Sequence, residues 1–335
     1  MTNDMLFGIA MVFYLVATLF YVGFVVSRSQ KVGYVATGVA LCGWLINTVA
    51  FGMRYLESHA KGFAYIPLSN MYESMVFFAW ALMLIYLIFE YIYGYRALGV
   101  FASIFGFLGI AIVSFGTVNR EVQPLVPALQ SNWLTSHVVT CFFGYAAFGV
   151  SYAVALMYLI REKKPVQVAL LILHPLLVPL FMSVLSLLYG LVGKESFASV
   201  QTQLYLWLGA GAVSAFILVM FFIMRGAEGV LPPNKILDEL SYKAVAVGFP
   251  LLTLGILTGA AWANYAWGTY WSWDPKETWS LITWFVYAAF LHARLTAGWR
   301  GGRLAWLSII GFGAVIFTYW GVNFVLSGLH SYGSG

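Results

Sequence analysis

The stretch SHVVTCFFGYAAFGVSYAVALMYL, residues 136–159, contains no Asp, Glu, Lys or Arg in 24 positions. As an α-helix it would be about 36 Å long, enough to cross the roughly 30 Å hydrocarbon core of a bilayer. The run is continuous and lacks the alternation of polar and apolar residues that marks a barrel strand. It therefore predicts a membrane-spanning helix.

Nine further runs of this kind occur along the chain. The ten predicted spans cover residues 5–26, 33–53, 71–93, 97–117, 135–160, 166–192, 204–225, 244–264, 278–298 and 304–327. Internal repeats, low-complexity stretches and Pro-rich linkers are absent from the sequence. We therefore expect an all-α, polytopic membrane bundle of about ten helices, forming one domain over residues 1–335.

Composition excludes a soluble protein. Of the 335 residues, 62% are hydrophobic and only 9% are charged, against about 25% charged in ordinary soluble domains. So few charges would not cover the surface of a soluble enzyme, and the high mean hydropathy of +0.86 excludes disorder. The net charge of +5 is better explained by membrane topology than by nucleic-acid binding, because basic residues collect on the cytoplasmic side.

The basic residues predict an orientation. If the N-terminus lies outside, the inner loops hold twelve of the 17 Lys and Arg residues and the outer loops five. The outer five are Arg54, Lys61, Arg120, Lys194 and Lys276. We therefore predict that both termini lie outside. The twelve acidic residues fall in loops or near span ends, which disfavours an ion-coupled transporter with carboxylates at the bilayer midplane.

Residues 262–284, WANYAWGTYWSWDPKETWSLITW, contain six of the 13 tryptophans. An aromatic belt at the headgroups would account for Trp262, Trp279 and Trp284, which bracket the two flanking spans. The belt explains the three tryptophans of the connection less well, and a large planar ligand would stack on such a surface. Composition alone leaves belt and ligand platform equally open. The connecting tryptophans are Trp267, Trp271 and Trp273.

The tetrapeptide Asp274-Pro275-Lys276-Glu277 predicts the start of a helix. Asp at the N-cap, Pro at the first helical position and Glu three residues after the cap form a capping box. Asp274 is therefore better explained as a cap than as a catalytic acid. Lys276 is placed to meet an anionic group, such as a carboxylate, at the same helix end.

Three of the five histidines have a functional interpretation. His137 and His330 fall at the outer face with the Trp-rich segment, where two imidazoles can ligate a haem iron axially. His292 follows Asp274 by 18 residues, about 27 Å along a helix, which places it in the middle or inner half of the bilayer. Each of the three also has a simpler interpretation as a hydrogen-bonded packing residue. His174, beside Pro175 and Pro179 in a segment expected to be kinked, is better explained by structure, and His59 by solvation.

The segment WGTYWSWDPKETWSLITW resembles the tryptophan-rich WWD signature of the haem-handling proteins of cytochrome c biogenesis. The similarity is greatest to the CcsA/ResC branch of the System II pathway. It extends to PLSNMYESMVFFAW at 67–80, to residues 136–159, to 240–263 and to GVNFVLSGLHSYG at the C-terminus. The resemblance therefore covers most of the chain after residue 50.

The resemblance implies a role and a set of residues. Such proteins take haem b from the inner side, move it through the membrane and present it outside for attachment to the CxxCH motifs of apocytochrome c. His137 and His330 match the external histidines, and His292 matches the intramembrane one, whose opposite ligand comes from a CcsB/ResB-type partner. The candidate haem-binding residues are His137, His330, His292, Trp267, Trp271, Trp273 and Asp274.

One departure from the family pattern concerns residues 166–225. Two apolar segments stand where the family usually has a short link, and as a pair they preserve the orientation of everything that follows. They leave open whether His174 has taken a role near the entry site. The resemblance places the protein in a bacterial plasma membrane or a thylakoid, with the Trp-rich segment outside.

Three other functions fit parts of the sequence. A CcmC-like protein would deliver haem to a separate chaperone, and a non-haem transporter would move another small apolar molecule. A structural subunit of a respiratory complex would use the Trp-rich segment only as a belt and partner surface. Within the family, the chain would be a component of a cytochrome c synthase, or haem lyase, in which the protein supplies binding and orientation.

Overall fold

A computed structural model describes residues 2–63, 66–116, 119–124, 130–162, 164–191, 200–227 and 229–322. These ranges are predominantly helical and contain no strand, so the predicted fold class is confirmed. The helices are α1 Asn3–Ser27, α2 Gln30–Ala60, α3 Met71–Tyr93, α4 Gly99–Phe115, α5 Asn132–Glu162, α6 Pro165–Leu173, α7 Leu177–Leu191, α8 Val200–Arg225, α9 Asn234–Trp267, α10 Pro275–Leu295 and α11 Gly302–Ile316. A 3₁₀ turn, Arg96–Leu98, leads into α4, and a π-helical turn, Phe317–Gly321, follows α11.

Eight helices of the described ranges are long and apolar enough to cross a membrane, and the bent pair formed by α6 and α7 makes a ninth if it is one span. The helix α10 has 21 residues, about 31 Å, but polar residues in its first and last turns, among them Glu277, His292 and Arg294, lower its hydropathy. The count reaches the predicted ten when the bent pair is one span and α10 is included. Each predicted segment overlaps one of these helices or the bent pair. The orientation with both termini outside stays a prediction.

The break between α6 and α7 confirms the kink predicted from the two prolines. The helix stops at Leu173, a 3₁₀ turn covers His174–Leu176, and the two halves are bent by 49°. Pro175 lacks the amide hydrogen that a continuous helix needs, so the chain cannot keep its regular bonding here. His174 therefore lies at a structural corner.

Arg54 does not lie in an outer loop, as the placement of span two at 33–53 implied. The helix α2 runs to Ala60, and Arg54 is 1% exposed inside the fold. Its Nε donates to the Glu73 carboxylate at 2.8 Å, and its Nη2 donates to the Arg120 carbonyl at 2.6 Å. A buried guanidinium needs such partners, and a sequence pattern cannot reveal them because they come from different segments.

The central helix is α5, which contacts α3, α4, α6, α8, α9 and α11. Glycines bring it close to α9: a Cβ at Gly144 would lie 3.2 Å from the Gly248 carbonyl, and a Cβ at Gly248 would lie 3.0 Å from the Gly144 carbonyl. Small residues at such a crossing allow two membrane helices to pack backbone against backbone. The first turns of α5 consequently lie beside the last turns of α9.

Candidate functional site

The Trp-rich connection is shorter than the sequence suggested. The helix α9 continues through Trp267 and ends at Gly268, which has a φ of 76°, a left-handed conformation that favours glycine. The connection therefore comprises only residues 268–274. Trp267, expected in the connection, is instead the last residue of α9, since the helical hydrogen bonds continue to that position.

The predicted helix start is confirmed. Asp274 accepts a hydrogen bond from the Lys276 amide at 2.9 Å, and Glu277 accepts one from the Asp274 amide at 3.2 Å, which completes the capping box. Glu277 also accepts from the amide of Ser272 at 2.7 Å. Both ends of the connection are thus tied to a helix, and the tryptophans between them are held in place.

The tryptophans form two edge-to-face pairs. Trp262 and Trp267 have ring centroids 4.8 Å apart, and Trp271 and Trp273 have centroids 5.8 Å apart. Trp273 is 69% exposed and adopts a φ of 60°, which is uncommon for a residue with a bulky side chain. Trp271 is half-buried, so the second pair offers an apolar surface beside the cavity described below chiefly through Trp273.

The interpretation of Trp262 as a belt residue is wrong. Its side chain is 3% exposed and stacks on the imidazole of His137, with centroids 6.3 Å apart and planes 17° apart. The other two belt candidates do help to pack helices: Trp284 donates to Thr253 at 2.9 Å, and Trp279 contacts Phe317 with centroids 4.1 Å apart. Trp262 is thus a site residue that composition could not separate from its neighbours.

His137 lies in the second turn of α5 and faces α9. Its Nδ1 is 2.7 Å from the carbonyl oxygen of Gly255 and 3.7 Å from the Cys141 sulfur. Because a carbonyl can only accept, Nδ1 carries the proton, and the lone pair of the neutral ring resides on Nε2. A carbonyl that fixes the tautomer in this way is the usual outer partner of a metal-ligating histidine.

Gly259 packs directly against this imidazole. A Cβ at that position would lie 2.5 Å from His137 Nδ1, so any larger residue would displace the ring. Gly255, Gly259 and Trp262 are spaced four and three residues apart and share one face of α9. The spacing of these three residues is visible in the sequence, but it does not show that His137 packs against them.

A cavity of about 210 Å³ adjoins His137. Trp262, Trp271 and Lys276 line it together with the imidazole, and Tyr319 closes one side. The Lys276 ammonium lies 5.9 Å from the centre of the Tyr319 ring, a distance typical of a cation–π contact. The site thus combines an oriented imidazole, aromatic faces and a cation.

The remaining candidates lie at different distances from this cavity. Trp267 packs against Trp262 and Trp273 packs against Trp271, so each lies behind a residue of the cavity wall. Asp274 is 6% exposed and serves as the N-cap of α10. His330 lies outside the described residues. The structure therefore brings together His137 and Trp271, with Trp262 and Lys276 as additions.

His292 lies far from the cavity, near the other end of α10. Its side chain is exposed on the surface of the bundle, and its backbone carbonyl accepts from the amide of Thr296 at 2.8 Å. Lys276 and His292 are 16 residues apart on one helix, about 24 Å. The two proposed haem positions are therefore joined by α10 but do not touch.

His174 and His59 occupy structural settings. In His174, Nδ1 is 2.6 Å from the Leu171 carbonyl and Nε2 is 2.8 Å from the Tyr152 hydroxyl, so both ring nitrogens are engaged. His59 is exposed at the end of α2, with its ring against Tyr55. Neither setting presents a nitrogen to a cavity shared with other candidates.

The sequence profile of the cytochrome C assembly protein family matches residues 68–330. A cytochrome c biogenesis protein CcsA of Guillardia theta is 36% identical over 319 residues, which cover 94% of this chain and 90% of that protein. A CcsA of Synechococcus elongatus is 39% identical over 306 residues, covering 88% and 86% of the two chains. These matches reach across nearly the whole length of each relative.

Among solved structures, a cytochrome c heme lyase CcmF superposes with a TM-score of 0.58 at 15% sequence identity. The match covers 98% of this chain and 48% of CcmF, so this chain spans about half the length of that protein. At so low an identity the match establishes a shared fold. It agrees with an arrangement in which all the described helices belong to one bundle.

Proposed function

The chain belongs to the cytochrome C assembly protein family and is an integral membrane protein of cytochrome c biogenesis; from that premise we propose that it binds haem b and presents it to apocytochrome c. The observation that carries this proposal is His137, held in one tautomer by the Gly255 carbonyl beside a cavity lined with tryptophan. His137 is the axial ligand from α5. His330, in the C-terminal segment, is proposed as the opposite ligand.

The cavity receives one edge of the haem. Its volume of about 210 Å³ is below the roughly 300–1,000 Å³ of pockets that enclose whole drug-sized ligands. The rest of the macrocycle therefore lies against half-buried Trp271 and exposed Trp273. Lys276 is placed to pair with a haem carboxylate, which fixes the ring's rotation about the iron.

Such binding supports attachment by positioning. Each thioether forms when a cysteine S–H of the CxxCH motif adds across a haem vinyl group, so the sulfur gains carbon and the proton moves to the other vinyl carbon. No additional oxidant is needed for that addition. The protein's contribution is to hold the vinyl edge towards the arriving thiols and to exclude other geometries. In this sense the chain is a component of a cytochrome c synthase.

His292 serves the earlier, intramembrane position. An exposed imidazole on the surface of α10 has room for an iron whose second ligand comes from another chain, here a CcsB/ResB-type membrane protein. Haem then passes along α10 to the Trp-rich connection on the outer side of a plasma or thylakoid membrane.

The test is the absorption spectrum of the full chain purified with its partner from haem-replete cells. We expect a low-spin haem spectrum in the wild type and at least about tenfold less external haem in His137→Ala, since an axial ligand is lost. His59→Ala is the matched control, because it removes an exposed imidazole elsewhere, and it should leave the spectrum unchanged. A colourless wild-type complex would contradict the proposal.

A further inference from the structure

A second cavity lies at the opposite end of α10. It has a volume of about 460 Å³ and is bounded by the connection between α10 and α11, the end of α5 and the start of α6. All of these are helix ends, so the cavity lies where the spans leave the hydrocarbon core. Trp299 and Trp306 contribute to its wall, and tryptophan is typical of headgroup depth.

Its charged lining is predominantly basic. Lys164, Arg300 and Arg303 line the cavity together with one carboxylate, Glu162. That carboxylate pairs with the Lys164 ammonium at 3.1 Å. The wall therefore contains three cations and one anion, which gives it a net charge of +2.

The two arginines of the wall have no carboxylate within ion-pair distance among the described residues. Arg300 uses one nitrogen, Nη1, to donate to the carbonyls of Arg294 and Trp299, both at 2.8 Å. Arg303 lies over the ring of Trp299 at 5.5 Å. Nearby Arg294 differs, because it pairs with both Asp238 and Glu239. The guanidinium groups at the cavity consequently retain donors for an external anion.

The connection that carries these arginines is fixed in shape. Gly301 has a φ of 68° and a ψ of −133°, a region that essentially only glycine adopts. Its amide donates to Asp238 at 2.7 Å, and a Cβ would lie 2.5 Å from the Tyr158 hydroxyl. The loop is therefore organised before any ligand arrives, which reduces the entropic cost of binding.

We propose that this cavity binds the phosphate of an anionic phospholipid headgroup. Guanidinium forks match phosphate oxygens in geometry and charge, and basic pockets between membrane helices hold such headgroups. The tryptophans provide the contact for the glycerol and upper acyl region. The site is separate from the haem cavity and would anchor the α10–α11 connection to the bilayer surface.

Native mass spectrometry of the full chain in detergent tests this proposal, with phosphatidylglycerol, phosphatidylcholine and glycerol 3-phosphate as probes. We expect retained phosphatidylglycerol to fall about tenfold in the double variant Arg300→Gln/Arg303→Gln, because two charge-assisted contacts are removed. Arg300→Lys/Arg303→Lys should recover part of the binding, since it keeps the charge without the fork.

The matched control is Lys31→Gln/Lys235→Gln, which removes two exposed charges at the same end of the bundle but away from the cavity. It should change retention by less than about twofold. An equal fall in both double variants would show diffuse attraction and overturn the proposal. So would equal binding of glycerol 3-phosphate, or a loss of haem rather than of lipid in the arginine variant.

Discussion

The surroundings of His137 and His174 differ in one respect that separates a candidate ligand from a packing residue. Both imidazoles are half-buried, and in both Nδ1 lies within 2.7 Å of a backbone carbonyl. The second nitrogen of His174 meets the Tyr152 hydroxyl, which completes its hydrogen bonding inside the fold. His137 instead borders a cavity with Trp262, Trp271 and Lys276. The comparison teaches that a position at the wall of a tryptophan-lined cavity, rather than burial, marks the candidate haem ligand.

Gly259→Ala is expected to have the largest effect on haem binding, because it disturbs the orientation of the His137 ring. The new methyl group would lie 2.5 Å from His137 Nδ1, so the ring must leave the Gly255 carbonyl and lose its fixed orientation. We expect roughly tenfold less bound haem, because outer partners of ligating histidines are commonly worth about 10–100-fold in affinity. Haem titration of the purified chain, followed by absorption, measures the change.

The matched control is Gly38→Ala in α2, where a Cβ would meet no atom within 4 Å. It adds the same methyl group to a membrane helix and should leave haem affinity as in the wild type. If Gly259→Ala also retained full affinity with an unchanged spectrum, the orientation imposed by α9 would be irrelevant to haem binding.

A smaller effect is expected from Lys276→Gln, which removes the cation but keeps a side chain of similar length. Losing one charge-assisted contact to a haem carboxylate should weaken haem binding by about fivefold to tenfold. The dimethyl ester of haem lacks that carboxylate charge, so it should bind the wild type and the variant equally. An equal loss for haem and for its ester would show that Lys276 acts on the fold rather than on the ligand.

The smallest change in haem content is expected on the His174 side. His174→Ala leaves the Tyr152 hydroxyl without its partner, which costs about 1–3 kcal/mol of stability, whereas haem content should not change. Thermal unfolding in detergent, measured alongside the haem spectrum, separates the two effects. A His174→Ala protein that kept its stability but lost haem would show that His174, not only His137, takes part in haem binding.

Local patterns predicted much of the structure because their physical causes are local. The long apolar runs located the helices, the Asp274-Pro275-Lys276-Glu277 tetrapeptide located the start of α10, and Pro175 located the corner at His174. Each depends on residues within a turn or two of one another. Such features can be inferred from one sequence.

The contacts that define the site could not be inferred in this way. Composition allows Trp262 in a belt, and the bounds of span two place Arg54 in a loop. In the structure Trp262 stacks on His137 and Arg54 pairs with Glu73. Both positions depend on how closely helices distant in sequence pack, as α5 and α9 do through Gly144 and Gly248. The identity of the residue above Gly259 follows from that crossing and from nothing local.

The most direct test of the central claim, that His137 supplies an axial nitrogen to haem iron, is imidazole rescue of His137→Gly. In the chain purified without its partner, where His292 lacks a second ligand, the variant should lose the low-spin haem spectrum. Added imidazole should restore it by filling the space that the side chain leaves. His174→Gly should show neither the loss nor the rescue. A His137→Gly protein with the wild-type low-spin spectrum in the absence of imidazole would contradict the account.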